Sequence, residues 1–242
     1  MKTNPRTITL YDTPLSQQNG YAPNMWRVRL ILNYKKLNYR TQWVEIPDIP
    51  RTMRQIGAPS TKKDKDGRPI YVLPVIVDPS RNPPVILSNP SQIAEYLEAS
   101  YPARPIFPDG SKALQTLFVH YITEVWARPL VTVMVSANAA RLSERSQQHL
   151  FGGPPQQLSA AEYERGWAQV LNEFNFLSAV LEKNSGEDGD GVIVSGHELT
   201  YSDFAICSFL IWIERVSPND GWLRVRDWHN HPSGPEQILF GI

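Results

Sequence analysis

Residues 71–77 read Tyr-Val-Leu-Pro-Val-Ile-Val, an apolar, strand-like run with a proline, Pro74, in its middle. Proline has no backbone N–H to give to a sheet, so a central strand accepts one only at its start or with special geometry. A cis Leu73–Pro74 bond would supply that geometry and leave the Leu73 backbone free to pair with a ligand. A proline on an edge strand is the alternative. The run therefore predicts either a ligand-facing strand start or an edge strand.

Around this run, the first hundred residues predict the order β-α-β, a loop, and β-β-α. Short β-branched or alternating segments favour strands, and apolar residues spaced three and four apart favour helices. Residues 47–69 are rich in Pro, Lys and Asp and are expected to be an irregular loop. The expected strands are 7–11, 41–46, 71–77 and 85–87, and the expected helices are 23–37 and 92–99.

The remainder of the chain has a different character. Residues 101–109 contain three prolines and are typical of a stiff linker, which is placed at 103–110. Residues 111–142 and 159–183 show helical spacing of apolar side chains. Thr200 and Asp203 stand three apart at the start of a last helix, which is the capping-box arrangement. The sequence therefore predicts a mixed α/β domain over 1–102, a linker, and an all-helical domain over 111–242.

Composition excludes several functions. Lys plus Arg and Asp plus Glu both number 24 in 242 residues, so the formal net charge is zero. Binding to nucleic acid or to an anionic membrane surface needs an excess of basic residues, so neither partner is expected. The longest apolar stretch, 204–213, is too short to span a bilayer. We therefore expect no membrane partner.

The single cysteine, Cys207, rules out an internal disulfide and suits a reducing compartment. Its apolar neighbours predict a small buried hydrophobe. Residues 1–11 lack the apolar core of a secretory signal, so a cytoplasmic location is expected. His229 and His231 lie one residue apart without a third ligand nearby, and we expect no metal site.

Four strings carry a resemblance to a known family: YAPNMWRVRLILNYKKLNY at 21–39, WVEIPDI at 43–49, YVLPVIVDP at 71–79 and IAEYLEASYP at 93–102. They resemble the cytosolic glutathione transferase superfamily, and within it the fungal etherase-related (Fua) class. That class is similar to bacterial enzymes that cleave β-aryl ethers of lignin. The resemblance implies the glutathione transferase fold, an α/β thioredoxin-like N-terminal domain followed by an all-α C-terminal domain. It also implies glutathione as cosubstrate and a possible homodimer.

The resemblance also implies a site. The backbone of Leu73, before Pro74, would pair with the cysteinyl part of glutathione. A pair of residues at the start of a helix would hold the γ-glutamyl group, and a residue at the start of the first helix would contact the sulfur. Small-molecule aromatic ligands would occupy an apolar cleft along the helix after the linker, lined by Phe118, Tyr121, Val125 and Trp126.

The first departure from the family lies at the sulfur. The positive end of a helix favours a thiolate, and a hydroxyl there adds a hydrogen bond. The etherase-like class is expected to carry Ser before the Pro-Asn that opens the first helix, but this chain has Ala22. The amide of Asn24 and the phenol of Tyr21 remain as candidate donors, as do the backbone N–H groups of that turn.

The second departure lies at the γ-glutamyl clamp, where the family's acidic-Ser pair falls on Asn89-Pro90. Pro90 has neither an N–H nor a hydroxyl, and Asn89 has no carboxylate. The two residues instead predict a helix start, with Asn89 as N-cap. Ser88 or Ser91 could take part if the register shifts.

Together, the two departures predict a glutathione transferase-like protein that handles hydrophobic aromatic or polyphenolic compounds, with weakened or lost conjugating activity. Two alternatives stay open. One is a non-catalytic carrier of such compounds, and the other is an interaction protein that keeps only the fold.

Overall fold

The computed structural model describes residues 7–15, 20, 22–155, 157–184, 194–195 and 198–226. The chain divides into two compact units. The first comprises Met1–Pro105 and Leu142–Gly153, and the second comprises Ile106–Arg141 and Pro154–Ile242. The boundaries expected at 102 and 111 stay a prediction.

A four-stranded mixed sheet forms the centre of the first unit. Its strands are β1 (Ile8–Asp12), β2 (Tyr39–Trp43), β5 (Val75–Asp78) and β6 (Val85–Ser88), in the order β2-β1-β5-β6. β1 and β2 are parallel, whereas β5 is antiparallel to both β1 and β6. The Leu73–Pro74 bond is cis. Because β5 has a neighbour on each side and begins after Pro74, the edge-strand alternative is wrong.

The described residues of the first unit also form the α-helices α1 (Pro23–Tyr34), α2 (Ile49–Gln55), α3 (Pro90–Ser100) and α6 (Glu144–Phe151), and a small hairpin, β3 (Lys62–Lys63) with β4 (Pro69–Ile70). The prediction of an irregular loop over 47–69 was therefore wrong. The proline-rich composition misled because proline is favoured in the first turn of a helix, where one stands in α2. Met53 of α2 is fully buried, so this helix is fixed by packing.

Helix α6 joins the first unit through contacts that are remote in sequence. The hydroxyls of Ser143 and Ser146 each donate to Oε2 of Glu45 at 2.7 Å. Arg145 holds both carboxylate oxygens of Asp48, with its Nη2 2.8 Å from Oδ1. Sequence spacing alone gives no sign of this docking.

The described residues of the second unit form helices joined by turns and irregular segments, with no strand among them. It contains α4 (Lys112–Tyr121), α5 (Ala127–Ala140), α7 (Ala160–Leu181), α8 (Tyr201–Val216) and α9 (Gly221–Arg226). A π-helical turn, Ile122–Trp126, joins α4 to α5. Helix α8 is buried along most of its length and forms the core of this unit. Among the residues that the structure describes, none of the helices combines the length and the apolar composition that a bilayer span requires.

The predicted capping box is present at the start of α8. Asp203 accepts hydrogen bonds from the Thr200 backbone N–H at 2.8 Å and its hydroxyl at 2.7 Å, and from the Val194 N–H at 2.7 Å. Burial raises the pKa of Asp203 in spite of these bonds. Cys207 lies one turn on and is fully buried, as predicted, and burial raises the pKa of its thiol.

Gly166 sets the close approach of α7 to α5. A Cβ at this position would collide with Cγ1 of the buried Val133. We expect Gly166→Ala to lower the free energy of unfolding by about 1–3 kcal/mol, although alanine is the better helix former. Urea denaturation measures the change. The same substitution in a Val133→Ala background is the control and should cost little, and a gain in stability in the wild-type background would contradict this packing.

Candidate functional site

The register of the sheet brings three predicted site segments to one end of the first unit. Val75, directly after Pro74, pairs with Tyr11 of β1 and with Ser88 of β6. Since β1 leads into α1 and β6 leads into α3, both helices begin at the end of the sheet where β5 starts. The candidate site therefore consists of the start of α1, the Leu73–Pro74 segment and the start of α3.

At the start of α1, Ala22 is the N-cap residue and offers no side-chain hydrogen bond. Its carbonyl accepts the N–H groups of Met25 and Trp26 at 3.0 and 3.1 Å. Its methyl group packs against a buried apolar cluster that includes Met25, Leu73 and Val75. Ala22 thus links the start of α1, where the sulfur contact is expected, to the apolar cluster that contains Leu73. Tyr21 lies outside the described residues.

Asn24 lies exposed in the first turn of α1. Its Oδ1 accepts a hydrogen bond from Nη2 of Arg27 at 3.2 Å. Arg27 itself is only 3% exposed. Asn24 was predicted from the sequence and Arg27 was not, because a spacing of three residues places two side chains near each other on a helix without indicating that one of them is buried.

An ion pair anchors the segment that precedes the site. Asp12, fully buried at the end of β1, accepts two hydrogen bonds from Arg29 of α1, at 2.7 and 2.9 Å. Burial raises the pKa of Asp12 although Arg29 acts to lower it. Nε1 of Trp26 donates to the Gly20 carbonyl at 3.1 Å. These contacts fix α1 against β1. They also fix the position of Gly20, which precedes Ala22 by two residues.

At the start of α3, Asn89 is the N-cap and Pro90 is the first helical residue, as predicted. Oδ1 of Asn89 accepts the N–H of Ser91 at 2.9 Å. The hydroxyl of Ser88 is turned inward and donates to the Pro59 carbonyl at 3.1 Å. The side-chain oxygen of Asn89 and the hydroxyl of Ser88 therefore both make hydrogen bonds within the protein.

The backbone of Asn89 is strained, with φ 80° and ψ 120°. Non-glycine residues rarely adopt this conformation, and such residues cluster at functional sites. This strained backbone at Asn89 was not predicted from the sequence. Asn is among the few residues that tolerate positive φ, but an Asn-Pro pair alone does not indicate where strain lies.

Asp78, at the end of β5, ties α3 to the sheet. It accepts the phenol hydroxyls of Tyr96 at 2.8 Å and Tyr101 at 2.7 Å, and the Ser80 N–H at 2.8 Å. Burial alone would raise the pKa of Asp78, but hydrogen bonds from Tyr101, Ser80 and Tyr96 hold it below its usual value. Asp78 is therefore ionised at neutral pH and stabilises the position of α3.

The predicted aromatic residues of the second unit have different environments. Tyr121 donates to Glu173 at 3.1 Å, and its ring lies 6.3 Å from that of Phe118 and 6.0 Å from that of Phe176. Burial, and then the Glu173 carboxylate, raise the pKa of Tyr121. These rings form a small aromatic group on α4 and α7.

Val125 and Trp126 point in opposite directions. Val125 is 47% exposed and lines a groove of about 420 Å³ between α5 and α7, together with Arg128 and Glu173. Trp126 is 1% exposed, with ring centroids 4.6 Å from Phe174 and 5.8 Å from Phe209. Trp126 is thus a core residue of the second unit.

No group of three or more potential metal ligands occurs among the described residues. His229 and His231 lie outside them.

The chain matches two family profiles. Residues 21–100 match the glutathione S-transferase N-terminal domain, and residues 113–234 match the glutathione S-transferase C-terminal domain. A curated relative, glutathione S-transferase-like protein ustS of Aspergillus flavus, is 24% identical over 237 residues. The match covers 91% of this chain and 84% of the relative.

Solved structures of similar proteins cover nearly the whole chain. Glutathione transferase GSTFuA2 from Phanerochaete chrysosporium is 30% identical with a TM-score of 0.84, over 98% of this chain and 96% of that chain. The glutathione S-transferase CsGST63524 of Ceriporiopsis subvermispora, solved in complex with glutathione, is 30% identical with a TM-score of 0.81, over 97% and 95%. These similarities confirm the resemblance carried by the four sequence strings.

Proposed function

The chain belongs to the glutathione S-transferase family, and from that premise we propose that it handles hydrophobic aromatic or polyphenolic compounds with weakened glutathione-conjugating activity. The observation that carries the proposal is the start of α1. Ala22 stands where the sulfur donor is expected, and its side chain packs into the apolar cluster beneath.

The size of the loss follows from the missing hydrogen bond. A hydrogen bond to a charged group contributes about 1.5–3 kcal/mol. Its absence from the transition state corresponds to a roughly tenfold to hundredfold slower reaction. Among the described residues of this turn, the side chain of Asn24 then remains as the candidate hydrogen-bond donor to the sulfur.

Weaker capture of glutathione is the second part of the proposal. The related CsGST63524 was solved with glutathione bound, so the fold has room for this cosubstrate. In this chain the proposed glutathione-binding residues are Leu73, Pro74, Asn89, Pro90 and Ser91, and the γ-glutamyl clamp is Asn89-Pro90. Pro90 has no N–H, and the Asn89 oxygen already accepts from Ser91. We therefore propose that glutathione binds with reduced affinity.

The aromatic substrate class rests on the second unit. Phe118 and Tyr121 are half-buried and Val125 is exposed on one continuous helical stretch. Aromatic and apolar side chains of this kind are the usual lining of small-molecule sites. Trp126 supports this surface from the core. A homodimer, a cytoplasmic location and a part in detoxification are further proposals taken from the family.

The proposal is tested by restoring the two missing groups. We expect Ala22→Ser to raise the conjugation rate with an aromatic electrophile about tenfold or more. Pro90→Ser, which supplies an N–H and a hydroxyl, should tighten the Kd for glutathione in calorimetry by about tenfold. Ala99→Ser and Pro102→Ser, both at exposed positions in the first unit, are matched controls and should change neither quantity.

Three results separate the candidate functions. Fast conjugation by the unmodified protein, with no gain from Ala22→Ser, would sink the proposal of weakened activity. Binding of plant phenolics without any binding of glutathione would favour the carrier. If the protein bound neither phenolics nor glutathione, the remaining candidate function would be that of an interaction protein that keeps only the fold.

A further inference from the structure

We propose that Arg27 is a positioning residue for the glutathione sulfur, acting through Asn24. Its guanidinium holds the Asn24 carboxamide in one orientation, with the oxygen toward the helix and the NH2 group toward the sulfur. The inference rests on the proposed function, in which Asn24 contacts the sulfur.

The contact with Arg27 determines which terminal atom of the Asn24 amide is the oxygen and which is the nitrogen. Nη2 of Arg27 lies 3.2 Å from the terminal Asn24 atom that it contacts. A guanidinium has five N–H donors and no acceptor, so the atom that faces it must be the oxygen. The NH2 group is therefore the terminal group of Asn24 that Arg27 does not hold, on a side chain that is exposed in the first turn of α1.

This orientation matters because a thiolate only accepts hydrogen bonds. A carboxamide that rotates freely offers its oxygen as readily as its NH2 group, and the oxygen disfavours an anion. With Oδ1 held by Arg27, Asn24 acts as a preorganised donor, which is the arrangement that stabilises charge at low cost. In a chain with Ala22, this donor takes the place of the missing hydroxyl.

Arg27 is well placed to hold Asn24. It is buried except for 3% of its surface, so its side chain has little freedom. The other arginine on this stretch of α1, Arg29, is bound to Asp12 and lies over the rings of Trp26 and Trp43. Arg27 and Arg29 thus have separate tasks, the first at the site and the second in anchoring the helix.

The first experiment measures the order of the Asn24 side-chain NH2 group by ¹⁵N relaxation in the glutathione-free protein. We expect an ordered group in the wild type and in the matched control, Arg54→Met on the exposed face of α2. Arg27→Met should leave it mobile while the backbone of α1 keeps its order. An equally ordered NH2 group in Arg27→Met would overturn the proposal, whether or not glutathione binds.

The second experiment is a double-mutant cycle on conjugation and on the thiolate absorbance of bound glutathione. Arg27→Met and Asn24→Ala should each slow conjugation about tenfold and raise the pH midpoint of thiolate formation. The double variant should be no slower than Asn24→Ala alone. If Arg27→Met slowed the Asn24→Ala variant as much as the wild type, Arg27 would act independently and the proposal would fail.

Two further variants guard against misfolding of Arg27→Met. Arg27→Lys keeps the positive charge but loses the planar, forked arrangement of N–H donors. We expect its conjugation rate to lie between those of Arg27→Met and the wild type. Asn24→Asp keeps the contact with Arg27 but presents only acceptors to the sulfur, so it should be about tenfold slower than the wild type. An Asn24→Asp variant as fast as the wild type would contradict the proposal. If the wild type bound no glutathione, the proposed function would fail on that point, and the relaxation measurement would still decide the role of Arg27.

Discussion

Replacing Lys35 by Met is expected to lower the free energy of unfolding by about 3–5 kcal/mol, because it removes a buried charge on which four acceptors converge. The Lys35 side chain is fully buried. Its Nζ donates to Oε2 of Glu98 at 2.6 Å and to the carbonyls of Tyr101, Ala103 and Arg104 at 2.9, 3.3 and 3.0 Å. Methionine fills a similar volume but satisfies none of these oxygens.

The geometry also predicts that arginine cannot replace this lysine. The four oxygens surround one point, which suits the compact ammonium group, whereas a guanidinium spreads its donors over a plane. Lys35→Arg should therefore be destabilising as well. The effect is local to the end of α3 and the segment that follows it, so that segment should lose protection from hydrogen exchange first.

Urea denaturation and thermal melting measure the effect, with a fall in Tm of about 10 °C expected. Lys63→Met, at an exposed position in β3, is the matched control and should stay within about 0.5 kcal/mol of the wild type. A loss below about 1 kcal/mol for Lys35→Met would mean that water reaches the three carbonyls, and it would contradict the buried clamp.

The second large effect is expected at Asp203, where Asp203→Ala should cost about 3 kcal/mol. The substitution leaves the N–H groups of Thr200 and Val194 without their acceptor in a buried site. Each buried donor left unsatisfied costs about 1–3 kcal/mol. The helix that loses its cap is α8, the core of the second unit, so the loss should spread through that unit.

The chain provides its own control, because a second capping box opens α7 in an exposed position. Ser159 and Glu162 make the same reciprocal bonds there. The side-chain bond from Ser159 lowers the pKa of Glu162. Glu162→Ala removes the same motif in contact with water, so its effect on the urea midpoint should be several times smaller than that of Asp203→Ala. Equal losses would show that burial is not what gives the motif its strength.

Local patterns predicted well the features that depend on a few neighbouring residues. The Asn89-Pro90 helix start, the Thr200–Asp203 capping box and the buried Cys207 are all present. The Leu73–Pro74 segment kept two alternatives, and only the pairing of β5 with strands on both sides decided between them.

The missed features depend on residues far apart in the chain. Nothing near Lys35 indicates that its partners lie at 98–104, and nothing near Glu45 indicates that Ser143 and Ser146 contact it. Arg27 was missed for a different reason. A charged residue in a helix usually faces solvent, and only its burial reveals that it contacts Asn24 as a fixed partner.

The burial of Cys207 has a consequence for chemistry with electrophiles. It is the only cysteine in the chain, it is fully inside α8, and burial keeps its thiol protonated at neutral pH. A protonated, inaccessible thiol does not react with electrophiles. The folded protein therefore has no cysteine sulfur for a reactive compound to alkylate. In a mixture with glutathione, every thiol that such a compound consumes comes from the tripeptide, and the cysteine of the folded protein stays unmodified.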